Sequence, residues 1–130
     1  MNIENTTRKD LGVKNKQLAV LSKKPNCVSS QTDSPAKKVR EISYTLSLKE
    51  QMAKVVDTLS AMPGTHIKQR SDNYLYAVFT TKLMRFKDDV EIYLDDDAKL
   101  IHFRSASRVG YSDLGVNRKR YDPFVAGLES

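Results

Sequence analysis

The chain has 130 residues, 39% hydrophobic and 29% charged, and 22 Lys and Arg against 16 Asp and Glu give it a net charge of +6. That length suits one domain with a single core and needs no disulfide staples. Cys27 is the only cysteine, which excludes an internal disulfide and any zinc site built from cysteines alone. The opening residues lack an apolar h-region and no apolar run approaches membrane-spanning length, so the expectation is a cytoplasmic protein with no signal peptide and no membrane span.

Residues 1–10 are polar and read as a disordered tail. In residues 11–40, Leu11, Val13, Leu18, Val20 and Leu21 form short clusters broken by Pro25, Asn26, Ser29, Ser30 and Pro35. This stretch reads as an irregular arm, packed through Leu18, Val20 and Val28 on a domain spanning 41–130. Its lysines read as a solvated run. Nucleic acid is an unlikely partner, because no aromatic residue precedes Tyr44 to offer a stacking platform.

Ile42, Tyr44 and Leu46 alternate with polar residues as a short strand candidate. Ser47-Leu48-Lys49-Glu50 has the form of a capping box. Leu48, Met52, Val55, Val56, Leu59 and Met62 follow at helical spacing, which predicts a helix over 48–61, ended by Pro63-Gly64. Four strands are expected next, over 65–70, 74–81, 88–94 and 100–107, with a turn at Ser71-Asp72-Asn73. A tight loop over Asp95-Asp96-Asp97-Ala98 places Leu94 opposite Lys99, Ile92 opposite Ile101 and Val90 opposite Phe103. On the other face it pairs Glu91 with His102 and Asp89 with Arg104. Ser112 is expected to cap a short helix starting near Asp113, with Pro123 ending it and Asp122 capping a last turn through Phe124, Val125 and Leu128. The fold class is therefore α+β: a twisted antiparallel sheet of four to five strands, one long helix on a face and a short C-terminal helix.

The polar block from Arg104 to Arg120 follows directly on an apolar strand, and little of it suits a core. Two readings stand side by side. As an anion site, Arg104, Arg108 and Arg118 supply guanidinium donors, Ser105, Ser107 and Ser112 supply hydroxyls, and a helix N-terminus adds backbone N–H groups. As a buried polar network, Asp113 accepts from Arg108 while Asn117 ties the turn to the strand. Asp88, Asp89 and Glu91 form a second cluster. Asp89 and Glu91 share a strand face and suit acid–base work or a hard cation, but salt bridges to cationic neighbours are their ordinary fate. The three consecutive aspartates 95–97 lack the glycine and distal Glu of a calcium loop. Cys27 is a candidate nucleophile with His102 or His66 as base, or else a small buried hydrophobe.

Pro25-Asn26-Cys27-Val28-Ser29-Ser30, Arg85-Phe86-Lys87-Asp88-Asp89-Val90-Glu91 and the Arg104–Arg120 block together resemble the family catalogued as domain of unknown function 1499. Leu11-Gly12-Val13 and Leu18 are similar to its opening, so the resemblance spans about residues 11–122. It implies an uncharacterised, mainly bacterial and plastid-associated family with no established activity. Many relatives carry a membrane segment or export signal ahead of the domain, and their final helix runs on where Pro123 stands here. The functional expectation is a non-enzymatic binding module for an anionic small molecule, lipid headgroup or partner segment through the arginine block. The alternative is a hydrolase-type enzyme using Cys27, or Asp89 and Glu91 with His102. Neither a cofactor nor a metal is expected.

Overall fold

The computed structural model describes residues 11–82 and 85–130. The expected tail over 1–10 lies outside the described residues. A two-residue hairpin, β1 (Val13–Lys14) and β2 (Gln17–Leu18), comes first, followed by β3 (Cys27–Ser29) and β4 (Ile42–Ser43). Then come α1 (Leu48–Ser60), β5 (Thr65–Arg70), β6 (Tyr74–Thr80), β7 (Lys87–Asp95), β8 (Leu100–Ser107) and α2 (Val116–Glu129).

The main sheet has six strands in the order β3-β8-β7-β6-β5, with β4 sharing the outer edge of β8 with β3. That is one more than the most expected, because the arm contributes β3, whose Val28 lies opposite Ser105. Every strand pair in the sheet is antiparallel. Within the arm, Leu18 and Val28 are buried as expected, but the Val20 side chain is 87% exposed and only its carbonyl is used by the domain.

The β7–β8 register differs from the expectation by two residues. Leu94 lies opposite Ile101, Ile92 opposite Phe103, Glu91 opposite Arg104 and Asp89 opposite Ala106. The loop is Asp96–Lys99 rather than Asp95–Ala98, because Asp95 still pairs with Leu100 and Lys99 turns the chain with φ 56°. A shift of two keeps every side chain on its face, so the apolar layer survives while each cross-strand partner changes.

Ser47 caps α1 by accepting from the Glu50 N–H at 3.2 Å. The Glu50 carboxylate takes the Ser47 hydroxyl at 2.8 Å rather than the backbone N–H of a full capping box. Met52, Val55 and Leu59 of α1 and Tyr121, Phe124 and Leu128 of α2 cover one sheet face, against Leu75, Ala77, Val90, Ile92, Leu94, Ile101 and Phe103. The helices approach closely at Gly127, where a Cβ would stand 2.5 Å from Thr58 Cγ2.

The C-terminal helix departs most from expectation. It begins at Val116 after a left-handed Gly115, and Ser112 does not cap it. Asp113 does so instead, accepting from the N–H groups of Gly115 and Asn117. The helix also runs unbroken through Pro123. Pro123 sits on the exposed face, where the carbonyl it leaves without a helical partner, that of Lys119, is also on an exposed residue and can be hydrated. Phe124 and Leu128 repay the continuation by burying themselves on the sheet.

Candidate functional site

Period-two alternation sends Tyr74, Tyr76, Asp89, Glu91, His102 and Arg104 to the sheet face away from the helices. The result is a polar layer in which Tyr76, Asp89, Glu91 and Arg104 are buried and Tyr74 and His102 half-buried. Arg104 and Glu91 side chains are both 0% exposed and pair at 3.5 Å. Glu91 Oε2 accepts from the Tyr74 hydroxyl at 2.6 Å and from the Gly12 N–H at 2.7 Å. Arg104 donates to the carbonyls of Ala19 and Val20. The pair therefore pins the N-terminal arm across the sheet. Burial raises the Glu91 pKa, outweighing the opposite pull of Tyr74, Gly12 and Arg104. Burial, with Glu91 alongside, also pushes the Tyr74 phenol up, so it remains a donor.

Asp89 is enclosed in the same way. Arg108 donates to both of its oxygens, at 2.9–3.2 Å, and the Tyr76 hydroxyl donates at 2.6 Å. The carboxylate cluster thus takes the salt-bridge arrangement, with Arg104 serving Glu91 and Arg108 serving Asp89. Arg108 does not reach Asp113 as the sequence reading supposed.

A second polar network lies on the helix-covered face, at the end where α2 begins. Ser105 and Ser107 point inward there. Asn117 is fully buried. Its amide nitrogen donates to the Asn26 carbonyl, Ser107 Oγ and Asp113 Oδ2, and its oxygen accepts from Ser105 Oγ and Arg120. Asn26 also donates to the Gly110 carbonyl at 3.0 Å. The Pro25–Ser30 motif is thereby tied to both ends of the arginine block. Arg120 reaches Asp88 at 2.7 Å and lies 4.5 Å over the Phe79 ring. Arg118 is exposed and holds the carbonyls of Ala36 and Lys38, and Ser112 Oγ only accepts from the Leu114 N–H.

Sequence reasoning missed Arg120 and Asn26 as network members and the role of Asp88. One signal was available: Asp88 falls in phase with Val90, Ile92 and Leu94, and a charge on the apolar face demands a partner. Asp88 is 1% exposed, and its Oδ1 has no hydrogen-bond partner among the described residues.

The catalytic candidates do not converge. Cys27 is buried on β3, with Sγ directed at the carbonyls of Ser22 and Lys24 and the Ser22 hydroxyl. His66 lies on β5 at the opposite edge of the sheet. His102 bonds Ser30 through Nδ1 at 3.0 Å and stacks on Tyr93. Burial lowers the His102 pKa below its usual 6.5, the largest of the influences on it. Glu91 and Asp89 are occupied by the partners above. Among the described residues, no three His, Cys, Asp or Glu side chains are grouped to hold a metal, and no helix is long and apolar enough to cross a membrane.

Two cavities flank the Asp88–Arg120 pair. One, of about 890 Å³, is lined on its basic side by His66, Lys82, Arg85, Lys119 and Arg120. The other, of about 260 Å³, is lined by Asp88, Ser107, Asp113 and the apolar side chains Phe86, Val109, Leu114 and Val116. Thr81 and Val116 border both.

No curated protein matches the chain. Residues 17–128, nearly its whole length, match the family described as a protein of unknown function, DUF1499, and the chain belongs to that family.

Proposed function

We propose that the protein is a non-enzymatic binding module for an anionic ligand, a free phosphate-type anion or an anionic lipid headgroup. The ligand is met at the C-terminal end of the arginine block. One observation carries this reading. Among the described residues, the 890 Å³ groove is lined by basic side chains and no acidic one, and Lys82, Arg85 and Lys119 are exposed and make no ion pair. Phe79, Val116 and Pro123 supply apolar wall. A groove of one charge sign with low-dielectric walls concentrates counter-ions. Of the residues first suggested for the anion, Arg104 and Arg108 are committed to carboxylates and Arg118 to carbonyls. The binding role therefore passes to Lys82, Arg85 and Lys119, with Arg120 behind them.

The test is thermal unfolding with inorganic phosphate and a short alkyl phosphate, beside sedimentation with vesicles containing anionic lipid. A ligand at a hundredfold excess over its Kd adds about 2.7 kcal/mol of stability. The reading predicts a melting-temperature rise with a free anion, or vesicle binding, lost in Lys82→Gln/Arg85→Gln/Lys119→Gln. No shift with either anion and no vesicle binding would overturn it, as would a shift unchanged in the triple variant.

A further inference from the structure

We infer that the smaller cavity beside Asp88 is a second binding site, which takes a small apolar molecule bearing one hydrogen-bond donor, an alcohol or an ammonium. The first observation is the open acceptor. A carboxylate oxygen buried without a partner costs stability, and native structures rarely leave one so. Asp88 Oδ2 is filled by Arg120 at 2.7 Å, while Oδ1 has no partner among the described residues. Asp88 is among the residues that line a cavity of about 260 Å³, so space adjoins the side chain that carries the open oxygen.

The second observation is what surrounds that space. Among the described residues no Lys, Arg or His lines it, and Asp113 lines it together with Asp88. An anion would therefore meet two carboxylates. Both carboxylates already have compensating partners, Asp88 in Arg120 and Asp113 in the first N–H groups of α2. The donor need not be charged. Beyond the two carboxylates, Thr81, Ser107 and Ser112 the wall is apolar, and a wholly apolar cavity of about 150 Å³ holds benzene. The space beside Asp88 therefore admits a ring or a short chain.

The third observation is the mouth. Leu114 is 85% and Phe86 38% exposed, although both are large and apolar. Leu114 is held at φ 54°, a left-handed conformation that a leucine rarely adopts, and Gly115 follows at φ 82°. Strain and exposed apolar surface coincide at the rim of the one cavity that holds an open buried acceptor among the described residues.

This inference is independent of the anion groove. Its test is titration of the full chain, followed by amide NMR shifts, with benzyl alcohol, benzylammonium, toluene and benzoate. Expected are saturable shifts at residues 86–88 and 107–116 with the alcohol and the ammonium. Toluene should bind about tenfold more weakly, the factor for one hydrogen bond to a charged group. Phe86→Ala and Leu114→Ala should weaken the alcohol while leaving the fold intact, and Asp88→Asn, which sets an NH₂ in place of the open acceptor, should abolish the advantage of benzylammonium over toluene. Toluene binding as tightly as benzyl alcohol would overturn the inference, as would the absence of saturable shifts at those residues. A crystal grown with benzyl alcohol that shows only water on Asp88 Oδ1 would also overturn it. Benzoate shifts at His66, Lys82 and Lys119 bear on the anion groove alone.

Discussion

The two faces of the sheet each carry a polar network with a buried arginine–carboxylate pair, and the networks differ in completeness. On the outer face Glu91 and Asp89 have both oxygens occupied, and Arg104 and Arg108 close over them. On the inner face Asp88 has one oxygen bonded to Arg120 and one open beside a cavity. The closed network fastens the arm to the sheet and is buried. The open one sits between two cavities of contrasting lining. A buried polar network with every member satisfied specifies a fold. One with a gap is where a ligand can be recognised.

The largest expected effect comes from breaking the closed network. Arg104→Ala leaves Glu91 buried without its cation and should cost about 3–5 kcal/mol in denaturant unfolding at neutral pH. The penalty should shrink in acid as Glu91 takes a proton. A loss under about 1 kcal/mol would mean that the pair is not holding the arm. The double variant Glu91→Gln/Arg104→Met should recover much of the loss, since no buried charge is then left alone.

Next in size is the N-terminus of α2. Asp113→Ala removes the acceptor for the N–H groups of Gly115, just before α2, and Asn117, within it, and should cost about 1 kcal/mol, within the range for a lost cap. An unchanged denaturant midpoint would assign the cap to another group.

Smaller effects are read from pH. The Glu91 pKa is raised from 4.5 in the folded state, so the fold binds the extra proton. Its contribution is full below 4.5 and is lost as pH rises through the raised value. Glu91→Gln should remove that slope. His102 is the reverse case. Its pKa is lowered from 6.5, so its contribution is present above 6.5 and is lost as pH falls through the lowered value. The stability curve of His102→Gln should be flatter than wild type on the acid side of 6.5. Parallel curves would show that burial of the ring has no energetic consequence.

Much of the fold was legible in the sequence because it rests on local rules. The capping serine and the spacing of Met52, Val55 and Leu59 specify α1, and alternation specifies β5 to β8 within a residue. What escaped depends on distant partners. The register of the β7–β8 hairpin turned on whether Asp95 paired or looped, which alternation cannot decide because a shift of two preserves both faces. β3 was hidden because three residues between turn signals carry no period, and only the edge of β8 makes them a strand. Pro123 was misjudged because exposure of the helix face, which makes the lost hydrogen bond tolerable, is a tertiary fact. The arginine block was recognisable as unusual from composition, but Arg104, Arg108 and Arg120 are assigned to three different carboxylates only by the β7–β8 register and the seating of α2 on the sheet.

The central claim is that the two networks differ in kind, and Asp→Asn at neighbouring positions tests it most directly. In Asp89→Asn, either orientation of the amide sets an NH₂ against donors from Arg108 or Tyr76, and the cost should be about 3 kcal/mol or more. In Asp88→Asn, the amide oxygen keeps the Arg120 bond and the NH₂ enters the cavity, so the cost should be about 1–2 kcal/mol. Denaturant midpoints measured side by side should rank Asp89→Asn well below Asp88→Asn. Equal losses, or a larger loss at Asp88, would contradict the distinction between a closed network and an open site.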